Sequence, residues 1–143
     1  MARSLAAFCL ALAFACGSGS ASAQPVGAAD ARAASSVVAA QLDAFANDDA
    51  ERAFSYAAPA IRAMFGTPER FLAMVRAGYP VVYRAASVTF LVPQREGEDI
   101  VQGVRLTDAA GALWLATYRL EHQRDGAWRI KGCDVQAASG KLV

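Results

Sequence analysis

The chain has 143 residues, 55% hydrophobic and 19% charged, with 14 Lys plus Arg against 13 Asp plus Glu. High hydrophobicity at a net charge of +1 excludes a disordered polyelectrolyte. Without a basic surplus, nucleic acid is not expected as a partner, and the length suits one domain with its own core.

Met1-Ala2-Arg3 is a short positive start, Leu5 to Cys16 is apolar and uncharged, and Ala21-Ser22-Ala23 is a small-x-small cleavage pattern. This is the layout of a secretory signal peptide over residues 1–23, with Gln24 as the expected first mature residue and a periplasmic or secreted destination. The 12 apolar residues from Leu5 to Cys16 would reach about 18 Å as a helix, short of a hydrocarbon core of about 30 Å, so no membrane span is read here. A lipoprotein alternative would use Cys16, but Ala13 and Phe14 stand where a lipidation signal carries an aliphatic and then a small residue.

Loss of residues 1–23 takes Arg3 from the 14 basic residues, leaving 13 against 13 acidic and a net charge of zero. It also removes Cys9 and Cys16, so Cys133 cannot form an internal bridge. With no Cys-x-x-Cys motif or cation cluster beside it, Cys133 reads as a small buried hydrophobe rather than a reactive thiol.

Helices are expected first. From Asp30 to Ala46, Ala34, Val38, Leu42 and Phe45 recur as one helical stripe. Asn47-Asp48-Asp49 stops it, and Asp48 stands three before Glu51, a capping-box spacing for a short helix through Tyr56. Pro59 opens a third piece in which Ile61, Met64 and Phe65 share a face before Gly66. Thr67-Pro68-Glu69 starts a fourth, with Phe71, Leu72 and Val75 on its apolar side and Gly78 then Pro80 closing it.

The second half alternates with period two. Val88, Phe90 and Val92 form one apolar set; Ile100, Val104 and Leu106 a second; Trp114, Ala116, Tyr118 and Leu120 a third; Trp128 and Ile130 a fourth. Four strands with one apolar face each predict an antiparallel sheet covered on one side. Asp108-Ala109-Ala110-Gly111 suits a three-residue hairpin with a left-handed Gly, which sets Leu106 opposite Trp114, Val104 opposite Ala116 and Gln102 opposite Tyr118. Reading Arg124-Asp125-Gly126 the same way sets Trp128 opposite His122 and Ile130 opposite Leu120; a two-residue Asp125-Gly126 turn would expose the apolar face. The change of phase from Ile130 to Cys133 and Val135 predicts a bulge at Gly132.

Helices followed by a twisted antiparallel sheet resemble the cone-shaped, nuclear transport factor 2-like (cystatin-like) α+β fold. The chain is also similar to a bacterial family, domain-of-unknown-function family 4864. The likeness is carried by VVAAQLDAFANDDAERAFSYAAPAIRAMFG, TPERFLAMVRAGYPVVYR and LWLATYRLEHQRDGAWRIKGCDV, about residues 37 to 135. The resemblance implies helices packed on a curved four-stranded sheet, a pocket at the open end of the cone, and no activity or catalytic residues. Relatives in the broader superfold include isomerases, dehydratases, transport factors and immunity proteins, so fold alone does not select a function.

In the predicted register Gln102, Tyr118 and His122 face inward. A buried amide at Gln102 must find partners or lose roughly 1–3 kcal/mol, and Tyr118 opposite could supply one. His122 is the single His and the one candidate base, with Asp99 or Asp134 as a partner if the fold brings them close; otherwise it stacks on Trp128 beside the hairpin. Tyr79, Tyr83 and Arg84 form an aromatic-basic cluster at the expected cavity rim. No metal-ligand spacing, phosphate loop or nucleophile motif appears, so neither metal nor cofactor is expected.

These residues favour a non-catalytic binding module. A small apolar ligand would use a cavity around Tyr83, Gln102, Trp114 and Tyr118, continuous as far as Gln102. A protein partner would use the outer sheet face, where Val101, Leu113 and Leu115 stand among Arg105, Thr117 and Arg119; a second copy of the chain is one such partner, an envelope protein another. The rival is a cofactor-free isomerase or dehydratase with His122 as base and Gln102 or Tyr118 polarising a carbonyl. A structural role in an envelope complex is the third reading.

Overall fold

A computed structural model describes residues 24–138. The signal peptide read over residues 1–23 lies outside them. The chain runs β1 (Gln24–Pro25), α1 (Ala28–Ala46), α2 (Ala50–Ser55), α3 (Pro59–Phe65), α4 (Pro68–Gly78), α5 (Pro80–Tyr83), β2 (Ser87–Phe90), β3 (Gln94–Glu96), β4 (Asp99–Thr107), β5 (Leu113–His122) and β6 (Trp128–Ala137). It is an α+β fold, with the helices packed against an antiparallel sheet of six strands. None of the described helices is long and apolar enough to cross a membrane.

The long α1 buries the expected stripe of Ala34, Val38, Leu42 and Phe45 against the sheet, with Gln41 buried beside them. It ends where Asp48 takes a left-handed backbone, φ 54°, which a short polar side chain tolerates. The cap of α2 is Asp49, whose carboxylate accepts from the Arg52 N–H at 3.1 Å, not Asp48. The capping-box spacing misplaced it by one residue because Asp48 is drawn instead toward α5. Thr67 caps α4 as expected, and Pro80 opens the one-turn α5 rather than ending the helical half.

Phe71 joins the helices to one another. Its ring centroid lies 5.7 Å from Phe45, 5.6 Å from Phe54 and 5.6 Å from Phe65, which draws α1, α2 and α3 around α4. Met64, expected on the inward face of α3, is 72% exposed. The helices meet the sheet edge at one parallel bridge. Ile130 N–H donates to Tyr56 C=O at 2.8 Å, and Ala58 N–H donates to Ile130 C=O at 2.8 Å.

The sheet has two strands more than the four expected. β1 pairs with β3, and β3 pairs with β4 along the edge that β2 also uses. Strands of two and three residues are too short to display a period in sequence. β2 and β3 are one path broken at Leu91–Pro93, where a proline cannot donate to a ladder. Val92 therefore leaves the strand and is 84% exposed, against its expected place on an apolar face.

The central registers are those the turns predict: Leu106 opposite Trp114, Val104 opposite Ala116, Gln102 opposite Tyr118, Ile130 opposite Leu120 and Trp128 opposite His122. Gly111 and Gly126 carry the positive φ values, 81° and 88°, that close the two hairpins. In β6, Ile130 pairs with Leu120 and Gly132 with Arg119, so the extra residue of the bulge is Lys131, one before the expected Gly132, which stays in the ladder.

Candidate functional site

An apolar cavity of about 260 Å³ lies between the helices and the β5–β6 end of the sheet. Phe45 of α1 and Phe71 of α4 form one side, and Tyr118, Ile130 and Cys133 form the sheet side. Met64 also lines it and is largely exposed, which puts the mouth at α3. The β6 bulge shapes the inner wall. By absorbing Lys131 it keeps both Ile130 and Cys133 facing the helices, where an unbroken strand would turn one of them out.

The polar side chains of the lining are Gln41, Tyr79, Tyr118 and Cys133, and no charged side chain is among them. Gln41 is committed: its Nε2 donates to Ala53 C=O at 3.1 Å. Tyr118 is 1% exposed, and its hydroxyl makes no hydrogen bond of regular geometry among the described residues; its neighbour there is the Cys133 thiol, a weak partner. Burial holds its ionisation well above the ordinary tyrosine value. Cys133, its cross-strand neighbour, is a part-buried free thiol pushed up to about 12 by desolvation, which outweighs the opposing pull of the Tyr118 hydroxyl. Both groups are therefore neutral at physiological pH, and the thiol is chemically quiet.

Of the residues singled out from the sequence, Tyr118 lies in the cavity lining; Tyr83, Gln102, Trp114 and His122 do not. Gln102 is fully buried, and its Nε2 donates to Leu91 C=O at 2.7 Å and Gly103 C=O at 2.9 Å. Its side chain thus leans toward the β2–β3 break on the far edge of β4, and the cavity does not extend to it. The Gln102 Oε1 has no partner among the described residues, so the expected Gln102–Tyr118 hydrogen bond is not made.

Trp114 turns its indole N–H to Asp108 Oδ2 at 3.0 Å, closing the β4–β5 hairpin. That bond, followed by backbone N–H groups of the turn, holds the Asp108 carboxyl below its usual range. Tyr83 donates its hydroxyl to Asp48 Oδ1, and Arg84 reaches Asp48 Oδ2 at 2.9 Å. Arg76 and Arg84 both lie over the Tyr83 ring, at 5.2 and 4.9 Å from its centroid. This is an outward latch between the α1–α2 turn and α5, and the Tyr83 bond, ahead of the arginine charges, lowers the Asp48 carboxyl. Tyr79 of the same aromatic-basic run does line the cavity.

His122 is exposed at the end of β5, with Nε2 3.1 Å from Gly126 C=O and its ring 4.8 Å from Trp128. Asp99, offered as its partner, is instead paired with Lys131 and lies 3.9 Å from Arg119. On the outer sheet face Val101, Leu113 and Leu115 are part-buried; among the described residues the large apolar side chains that stand exposed are Met64, Val88 and Val92. Among the described residues, no group of His, Cys, Asp or Glu is placed to hold a metal ion.

Sequence reading missed Gln41, Ile61, Phe65 and Met74 as lining residues. One signal was present. Gln41 falls between Val38 and Phe45 at helical spacing, a polar residue on a buried stripe.

A family model described as "Domain of unknown function (DUF4864)" matches residues 27–143. No curated protein matches the chain in sequence. Among solved structures, Aln2 from a Streptomyces species aligns at 14% identity with a TM-score of 0.52, covering 80% of this chain and 94% of that one. At that identity the likeness concerns the fold alone, and it is consistent with the helix-and-sheet architecture described above.

Proposed function

Because the chain belongs to the family described as a domain of unknown function, DUF4864, we propose from its own geometry that it is a non-catalytic binding module. Its ligand is a small, mainly apolar molecule held between the helices and the sheet. The observation that carries this reading is an apolar cavity walled in part by Tyr118, whose buried hydroxyl has no partner there stronger than the Cys133 thiol. Ligand sites combine such apolar walls with a few polar groups, whereas a hydroxyl buried for packing alone normally finds a partner. A cone of the nuclear transport factor 2-like kind fits this reading, since helices precede the sheet and a bulge bends β6 beside the cavity.

The catalytic alternative is less well supported. Its base, His122, is engaged at the β5–β6 hairpin and does not line the cavity. Export belongs to the same proposal and rests on the layout of Met1–Ala23. Mass measurement of protein recovered from its native envelope is expected to give a chain that begins at Gln24; a retained Met1 would reject export by this route.

The binding reading is tested on that same material. Small molecules released on denaturation are identified by mass spectrometry and compared with those from Ile61→Trp, which fills the cavity from α3. A compound retained by the native protein and absent from I61W is expected. Release of the same compounds from both proteins, or of none from either, overturns the reading.

A further inference from the structure

We infer that the ligand is electrically neutral and carries one hydrogen-bond acceptor, such as a ketone or ester carbonyl, which takes the proton of the Tyr118 hydroxyl. The inference rests on the cavity being a ligand site and specifies what that site selects.

Two independent observations support it. The lining holds no cationic side chain to receive a carboxylate or phosphate and no carboxylate to receive an ammonium. A charge brought into such an apolar space loses its hydration without compensation, so ions are excluded. The second observation is the hydroxyl itself. Gln41 already uses its Nε2 on Ala53 C=O, Cys133 offers only a weak thiol donor, and Tyr79 is part-exposed, so water can serve its hydroxyl. The Tyr118 O–H is the strong donor at the sheet wall, and it meets there only the weakly accepting Cys133 sulfur. A ligand acceptor would satisfy it where an all-hydrocarbon ligand would leave it with that sulfur alone.

The walls agree with a compact occupant. Met64 and Met74, one at the mouth and one on α4, are unbranched and adapt to different apolar shapes. The space is slightly below the usual range for drug-sized ligands, which favours a molecule of one ring or a short chain.

The test uses four matched probes titrated into the purified protein and followed calorimetrically and by NMR: ethylbenzene, acetophenone, benzoate and phenethylammonium. Acetophenone is expected to bind at least tenfold more tightly than each of the others. In Tyr118→Phe its advantage over ethylbenzene is expected to vanish while ethylbenzene binding is kept or improved. Ethylbenzene binding to both proteins also shows that the variant retains its cavity. Equal affinity for acetophenone and ethylbenzene in the native protein, or tight binding of benzoate, would overturn the inference and leave the cavity as an unselective ligand site. Failure of both neutral probes to bind would overturn the cavity reading along with it.

Discussion

Gln102 and Tyr118 stand directly opposite each other on β4 and β5, yet their polar ends serve different parts of the molecule. The Gln102 amide closes the break between β2 and β3 by donating to Leu91 C=O, while the Tyr118 hydroxyl, in a residue of the cavity wall, has only the Cys133 thiol beside it. Register alone predicts a pair that satisfies itself; instead one member is structural and the other is available to a ligand.

Substitutions at the two positions should therefore act with opposite sign. Gln102→Leu strands the Leu91 carbonyl but also removes the unpartnered Oε1, so its net cost in urea unfolding should be about 1 kcal/mol. A midpoint unchanged from the native protein would show that this carbonyl has another partner.

Tyr118→Phe removes a hydroxyl that has only the Cys133 thiol beside it in the free protein. Stability should hold or rise, by up to about 1–3 kcal/mol, because the cost of burying a poorly satisfied group disappears. A clear loss in the same urea titration would mean that the hydroxyl is bonded internally, and the ligand reading would lose its support.

Acid stability should follow two carboxylates. Asp48 and Asp108 are held below the usual value of 3.8, first by Tyr83 and Trp114 respectively. Lowered carboxylates stabilise the fold above the unfolded value and lose that contribution as pH falls through the folded one. Thermal midpoints should be steady down to about pH 5 and decline below about pH 4. Asp108→Asn should start lower at pH 7 and depend less on acid; an identical pH slope in this variant would contradict the assignment.

At the alkaline end the sign reverses. Burial raises Cys133 from 9.0 to about 12, so the unfolded chain ionises first. Its stabilising contribution is complete below pH 9 and is lost as pH climbs toward 12. Tyr118, raised above 10.0, adds to the same decline at higher pH. Cys133→Ala should flatten the stability curve between about pH 9 and 11, and the native thiol should resist aromatic disulfide reagents at pH 8 until the protein is denatured.

The bulge gives a prediction about deletion. Removing Lys131 leaves Trp128, Ile130, Cys133 and Val135 on one face and costs the pairing with Asp99. Near-ultraviolet circular dichroism should show a folded protein. Removing Arg129 instead puts Trp128 out of phase with Ile130 and should abolish the aromatic signal. Equal tolerance of the two deletions would refute the register.

Much of the sheet was legible in sequence because its information is local and periodic. A strand alternates its faces every residue, and Gly111 and Gly126 fix both hairpin lengths, so pairings from Ile100 to Ile130 followed from pattern alone. The helix starts at Pro59 and Pro68 were readable for the same reason: fixed φ and capping oxygens act within one turn. β1 and β3 were not, since two or three residues carry no period.

The candidate site is where sequence stopped and tertiary structure decided. An inward phase says which face of the sheet a side chain occupies, but not which part of that face lies under the helices. Gln102 and Trp114 face inward in phase, yet Leu91 and Asp108 take their polar ends. Tyr83 is captured by Asp48, 35 residues away, and the cavity wall joins Phe45, Phe71 and Tyr118 from three elements. Those meetings depend on how α1 and α4 pack on the sheet, a sum of long-range contacts that no local spacing encodes.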